Sequence, residues 1–126
     1  DGEQTRNFSD IDDCLYCLNQ LITNKEILSE TFNIGPDEES ISINELYKML
    51  CNKLQYNEPA QYVKDRPGHD FRYALNSKKI FNKLKWKAKI KLNDGLFETI
   101  KWYSNNKSYF KKISKNFHEK RLGLDL

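Results

Sequence analysis

Residues 65 to 70, Asp65-Arg66-Pro67-Gly68-His69-Asp70, place two turn formers among two cations and two carboxylates within six positions. Pro67 fixes one backbone angle and Gly68 opens angles closed to other residues, so the chain must reverse here in a rigid turn. Tyr62 and Val63 before the turn, and Tyr73 to Leu75 after it, read as short strand. The turn holds Arg66 and His69 close together. A guanidinium is a planar fork of N–H donors that suits a phosphate, and an imidazole adds a ring donor that can also stack on a base. The plainer reading is a solvated polar loop.

The 126 residues are expected to form one domain, long enough to bury a core. No apolar run approaches the length of a membrane span, and no signal-peptide pattern precedes the first elements, so no membrane partner is expected. The chain opens on Asp1-Gly2-Glu3-Gln4 without an initiator Met, which suggests a piece of a longer protein. Cys14, Cys17 and Cys51 are an odd number. They argue against a disulfide framework and for a reducing, cytoplasmic setting.

Charge divides the chain. Residues 1–77 carry 7 Lys+Arg and 14 Asp+Glu, a net −7, whereas residues 78–126 carry 14 and 4, a net +10. A basic half with interleaved aromatics is one mark of a nucleic-acid surface. Helical spacing is expected to put those aromatics inside and leave the lysines as a solvated face, which argues against nucleic acid.

Apolar spacing supplies the elements. Arg6 to Ser9 reads as a short strand. Asp10 to Asn24 reads as a helix, opened by Asp10, Asp12 and Asp13 and carrying Ile11, Leu15, Leu18 and Ile22 on one face. Residues 29–34 read as a strand ending at Gly35-Pro36. Ser42-x-x-Glu45 is a capping box for a helix with Ile43, Leu46, Tyr47, Leu50, Cys51 and Leu54. Asn76 or Ser77 caps a helix with Ile80, Phe81 and Leu84 inside, followed by Trp86 as a core anchor. Asn93 begins a helix that buries Leu96, Phe97, Ile100 and Tyr103 and ends near Asn105-Asn106. Tyr109, Phe110, Ile113 and Phe117 mark a last helix. The fold class is therefore α+β, mainly helical, with five helices and about four short strands.

Several catalytic signatures do not hold up. No Gly-x-Gly-x-x-Gly occurs, so the dinucleotide phosphate loop is missing. Tyr103-Ser104-Asn105-Asn106-Lys107 has the spacing of a Tyr-x-x-x-Lys pair, but it falls at a helix end, where a chance match is the simpler account. Cys14-x-x-Cys17 has the spacing of half a zinc site, but no second pair follows and structural zinc needs four ligands. Asp65 with His69, or His69 with Asp70, could serve as an acid–base pair, yet no Ser or Cys nucleophile stands beside them. No catalytic residue and no metal ligand is assigned.

Residues 62–103, from Tyr62-Val63-Lys64-Asp65-Arg66-Pro67-Gly68-His69-Asp70 to Trp102-Tyr103, resemble the C-terminal part of dTDP-glucose 4,6-dehydratases. These are NAD-dependent enzymes of the extended short-chain dehydrogenase/reductase, or epimerase/dehydratase, superfamily. Asp1-Gly2-Glu3-Gln4-Thr5-Arg6-Asn7-Phe8 with Ile11-Asp12-Asp13, and Thr31-Phe32-Asn33-Ile34-Gly35, resemble the superfamily more broadly. Lys120-Arg121-Leu122-Gly123-Leu124 is similar to dehydratase tails. The resemblance implies a single substrate-binding C-terminal domain over 1–126, without the complete Rossmann sheet. It implies that the N-terminal Rossmann domain, NAD and the catalytic groups lie outside this chain. The implied reaction converts dTDP-glucose to its 4-keto-6-deoxy product, with hydride leaving C4, water lost across C5–C6, and hydride returning to C6.

The same resemblance puts Asp65, Arg66, Pro67, Gly68 and His69 against the nucleotide diphosphate of a nucleotide sugar, dTDP-glucose or a UDP-sugar. It adds Arg6 to that contact and Ser42 at a position that is usually Asn in the dehydratases. It reads residues 33–35 as a strand end packed on the cofactor domain, and it makes a homodimer an expected assembly. Gly35-Pro36-Asp37-Glu38-Glu39 looks more like related nucleotide-sugar epimerases. Phe71 stands where Arg is common, and Lys85-Trp86-Lys87-Ala88 replaces a usual Gly-Trp-x-Pro. A nucleotide-sugar epimerase or decarboxylase is thus the first alternative, and a non-catalytic basic binding module the second.

Overall fold

A computed structural model of the chain describes residues 1–65 and 67–111. Its helices are α1 (Ile11–Thr23), α2 (Ile43–Leu54), α3 (Lys78–Leu84), α4 (Leu92–Asn105) and α5 (Lys107–Lys111), with a 3₁₀ turn at Lys25–Ile27. Three two-residue strands, β1 (Thr5–Arg6), β2 (Ile41–Ser42) and β3 (Arg72–Tyr73), form one sheet in the order β2-β1-β3. β1 runs antiparallel to β2, with Thr5 opposite Ser42, and parallel to β3, with Thr5 opposite Arg72.

Local chemistry explains where the helices start. The Asp10 carboxylate accepts the Asp12 N–H at 2.9 Å and caps α1. Ser42 and Glu45 close the capping box of α2: the Ser42 hydroxyl takes the Glu45 N–H at 3.1 Å, and Glu45 Oε2 takes the Ser42 N–H at 2.7 Å. At α3 the side chain that caps is Asn76, which accepts the Lys78 N–H at 2.9 Å; the Ser77 hydroxyl turns away to donate to the Gly35 carbonyl at 3.0 Å.

Cys17, Ile80 and Trp86 form the buried core, with Leu21, Phe32, Ile34, Leu84 and Ala88 packed against it. A buried carboxylate ties this core to the next segment. Asp13 Oδ2 accepts the backbone N–H groups of Lys89 at 2.9 Å and Ile90 at 2.8 Å. Those donors lie in the stretch between α3 and α4, where no helix or strand partner would otherwise meet them. Gly95 brings α4 close to the start of α1: a Cβ there would lie 2.7 Å from Asp10 Oδ2.

Several expectations need correction. About four strands were expected and three are described. The first is Thr5–Arg6 rather than a run to Ser9, the last is Arg72–Tyr73, Ile41–Ser42 was not anticipated, and Tyr62-Val63 joins no ladder. Residues 29–34 are not a strand among the described residues. Phe32 and Ile34 do turn to the core, but the segment has no neighbour to complete a ladder. The helices also bury less than their spacing implies. Ile11 is 67% exposed and Ile22 82%, with Leu15 and Leu18 also open, so the apolar face of α1 points outward while Cys17 and Leu21 pack.

Phe81, Phe97 and Tyr103 are likewise exposed. Trp86 is buried, but Trp102, Tyr103, Tyr109 and Phe110 of the basic half pack on one another instead. Trp102 meets Phe110 edge-on at 5.8 Å between centroids, and Tyr103 stacks on Phe110 at 4.7 Å. Ile113 and Phe117, named for the last helix, and residues 120–124 lie outside the described residues. Among the described residues no helix is long and apolar enough to cross a membrane.

Candidate functional site

The turn predicted from Pro67-Gly68 is present, and Gly68 adopts φ +72, in the left-handed region. What holds it is Arg6 of β1. Arg6 Nη1 donates to the carbonyls of Thr5 at 2.7 Å and Phe71 at 3.3 Å. Nη2 donates to the Asp70 carbonyl at 2.8 Å and lies 2.8 Å from His69 Nε2. The other ring nitrogen, Nδ1, lies 2.7 Å from Asp65 Oδ1, and Asp65 Oδ2 accepts Gln4 Nε2 at 3.0 Å. A continuous polar line therefore runs Gln4–Asp65–His69–Arg6 and clasps the turn to the central strand.

Beside this line lies an open cleft of about 700 Å³. Gln4, Asp65 and His69 form part of its wall, and Tyr47, Tyr56 and Tyr62 line the rest together with Asn44 and Glu58. Two of the tyrosines are held in place by their hydroxyls. Tyr47 donates to the Glu58 carbonyl at 2.6 Å, and Tyr62 donates to Asn44 Oδ1 at 3.0 Å. A hydrogen bond with Cys51, reinforced by burial, pushes the Tyr47 hydroxyl up to about 12, so it stays a neutral donor.

Among the sequence-assigned residues, the structure gathers Arg6, Asp65 and His69, with Pro67 and Gly68 forming the bend between the last two. Arg66 lies outside the described residues. Ser42 sits on β2 beside Thr5, but it is buried, and its hydroxyl is shared with Glu45 as the cap of α2. Both ring nitrogens of His69 face protein partners. Four of the five N–H donors of Arg6 point at protein acceptors, leaving Nε–H among the described residues.

Sequence reasoning missed Gln4, although its spacing carried the signal. Residues two apart on a strand share a face, so Gln4 and Arg6 point to the same side of β1. The carbonyls of Asp70 and Phe71 could not have been found that way, because any residue supplies a carbonyl.

Cys17 is part of the buried core, and Cys14 is partly buried beside it. Burial, with Asp13 and Asp10 nearby, raises the Cys14 thiol, and burial raises that of Cys17, so neither favours the thiolate that zinc requires. Tyr103 and Lys107 fall on two different helices, with Tyr103 stacked on Phe110.

The chain is 33% identical to an Escherichia coli dTDP-glucose 4,6-dehydratase over 136 aligned positions, covering 98% of this chain and 37% of that protein. The chain belongs to the extended short-chain dehydrogenase/reductase superfamily. No family model matches it. It spans about a third of the length of the curated superfamily relatives it matches. Among solved superfamily structures, a Bacillus anthracis dTDP-glucose 4,6-dehydratase in complex with NAD superposes with a TM-score of 0.79 at 29% identity, over 88% of this chain and 35% of that one. A Thermotoga maritima UDP-glucose 4-epimerase with UDP-glucose superposes with a TM-score of 0.77 at 28% identity, over 83% and 33%.

Proposed function

We propose that this chain is the substrate-handling, C-terminal part of an NAD-dependent nucleotide-sugar dehydratase acting on dTDP-glucose. Its turn at residues 65–69 meets the nucleotide diphosphate. The observation that carries this reading is the clasp from Arg6 to the turn at the edge of the tyrosine-lined cleft. A turn pinned to a strand is preorganised, so little ordering entropy is lost when a ligand arrives. Arg66 brings the fork that suits a diphosphate. The faces of Tyr47, Tyr56 and Tyr62 suit a nucleobase.

The chain's own residues do not fit NAD. A dinucleotide phosphate needs a strand, a glycine turn and a helix N-terminus in series. The described strands of two residues each offer no such unit, and no step through NAD is derived from this chain. NAD and the hydride chemistry belong to the remainder of the complete enzyme, so this chain alone should be inactive. Two features support such a remainder. The apolar face of α1 with Ile11, Leu15, Leu18 and Ile22 is largely exposed, and Phe32 and Ile34 pack on the core from a segment without a ladder partner. A second copy of the chain could cover the same face, and a concentration-dependent mass would reveal that. The free thiols fit a reducing, cytoplasmic setting.

The test is Arg66→Ala in the complete enzyme. Loss of one charge-assisted hydrogen bond, about 1.5–3 kcal/mol, should weaken nucleotide-sugar affinity more than tenfold. Unchanged affinity would overturn the assignment. A nucleotide-sugar 4-epimerase is the second reading, favoured by the superposition on the Thermotoga enzyme. The product separates the two: a 4-keto-6-deoxy sugar or a C4 epimer. A basic nucleic-acid module fits poorly at this cleft, whose wall carries Asp1, Glu58 and Asp65.

A further inference from the structure

We propose that Gln4 and Asp65 are positioning residues that fix the tautomer of His69 and, through it, the orientation of Arg6. The reasoning starts from what each group can and cannot do. A guanidinium has donors only, so with Arg6 Nη2 at 2.8 Å, His69 Nε2 must present its lone pair. The ring proton of the neutral imidazole then sits on Nδ1, where Asp65 Oδ1 accepts it at 2.7 Å. A carboxylate accepts only, so the Gln4 side chain must turn its amide N–H toward Asp65 Oδ2, 3.0 Å away.

The line thus has one consistent polarity, imposed from both ends. The opposite tautomer would set N–H against N–H at Arg6 and lone pair against lone pair at Asp65. Two simple spacings assemble it: Gln4, just before β1, stands two residues from Arg6, and Asp65 and His69 stand four residues apart across the turn. With its other Nη protons on the carbonyls of Thr5, Asp70 and Phe71, the guanidinium is held at both ends. On this assignment His69 acts through Arg6 rather than by donating to a ligand. The inference rests on the reading of the turn as a diphosphate site only for its effect on affinity.

The experiment is ¹⁵N NMR of the full chain at about pH 8, above the ordinary imidazole range near 6.5. The expected wild-type pattern is the Nδ1–H tautomer of His69 with separately resolved Arg6 Nη signals, because hydrogen bonds slow guanidinium rotation. In Asp65→Ala the Nη signals should merge, and in Gln4→Leu they should broaden. An Nε2–H ring in the wild type overturns the proposal, and so does an unchanged Nη pattern in Asp65→Ala. Gln4→Leu spectra identical to wild type remove Gln4 from the role. If Asp65→Ala loses its dispersed amide spectrum, Asp65→Leu, which keeps the volume but has no acceptor, carries the same test.

Titration with thymidine diphosphate separates the two readings. Several-fold weaker binding in Gln4→Leu links the line to ligand affinity. No binding by the wild type would count against the diphosphate site while leaving the tautomer result to decide the positioning role.

Discussion

Asp13, in the first turn of α1, accepts the backbone N–H of Ile90 at 2.8 Å across 77 positions of sequence, and the same oxygen takes the N–H of Lys89. The residue is buried, so the carboxylate replaces water for two donors that would otherwise be unpaired. Asp13→Ala should lower unfolding stability by about 3 kcal/mol in urea titrations, given the worth of hydrogen bonds to charged groups. Asp13→Asn keeps an acceptor and should cost distinctly less. A loss within about 0.5 kcal/mol for the alanine variant, the range of neutral surface changes, would refute the role.

Gly68 tests the turn itself. Its φ is +72, yet a Cβ there would meet nothing within 4 Å. Gly68→Ala should therefore cost about 1–2 kcal/mol from backbone strain alone, and Gly68→Asn less, because Asn tolerates this region better. Equal losses for the two variants would point to packing instead of conformation.

At Gly95 the constraint is space. The added methyl of Gly95→Ala would press on Asp10 Oδ2 at 2.7 Å, forcing apart the α1 cap and α4. A loss of about 1–3 kcal/mol is expected. Shortening the neighbour relieves it, so the same change in an Asp10→Ser background should cost about 1 kcal/mol less. Additive losses in the double-mutant cycle would show that the two residues do not meet.

Glu45 carries a pH dependence. The Ser42 backbone N–H, then the Ser42 hydroxyl, hold its carboxyl below the usual value of 4.5. A depressed folded-state value means that stability from this group is fully present above about pH 4.5 and falls as the pH drops through the folded value. Thermal melts between pH 6 and 3 should therefore decline more steeply for wild type than for Glu45→Gln. Parallel declines would remove Glu45 as a source of acid sensitivity.

The elements set by short-range chemistry were legible before any coordinates. The capping box Ser42/Glu45, the Pro67-Gly68 bend and the Trp86 anchor each depend on residues within a few positions, or on one large apolar side chain. Asp65 and His69 were named from the turn's own chemistry as well as from resemblance, Arg6 from resemblance alone, and the three do assemble.

The long-range choices were not legible. Ile11, Leu15, Leu18 and Ile22 share a helix face by spacing, but spacing does not say what that face meets, and here each of the four stays largely exposed. Residues 29–34 have strand-like alternation without a ladder, because a strand needs a neighbour that sequence pattern cannot supply. Gln4 joined the site only once β1 and the turn were brought together. The hydrogen-bonding capacity of Arg6 was equally clear from its chemistry. That the capacity is directed at the turn's own carbonyls and at His69 follows from backbone atoms meeting across more than 60 residues. Side-chain identity limits which partners a group can accept or donate to, and tertiary packing alone selects which of them is within reach.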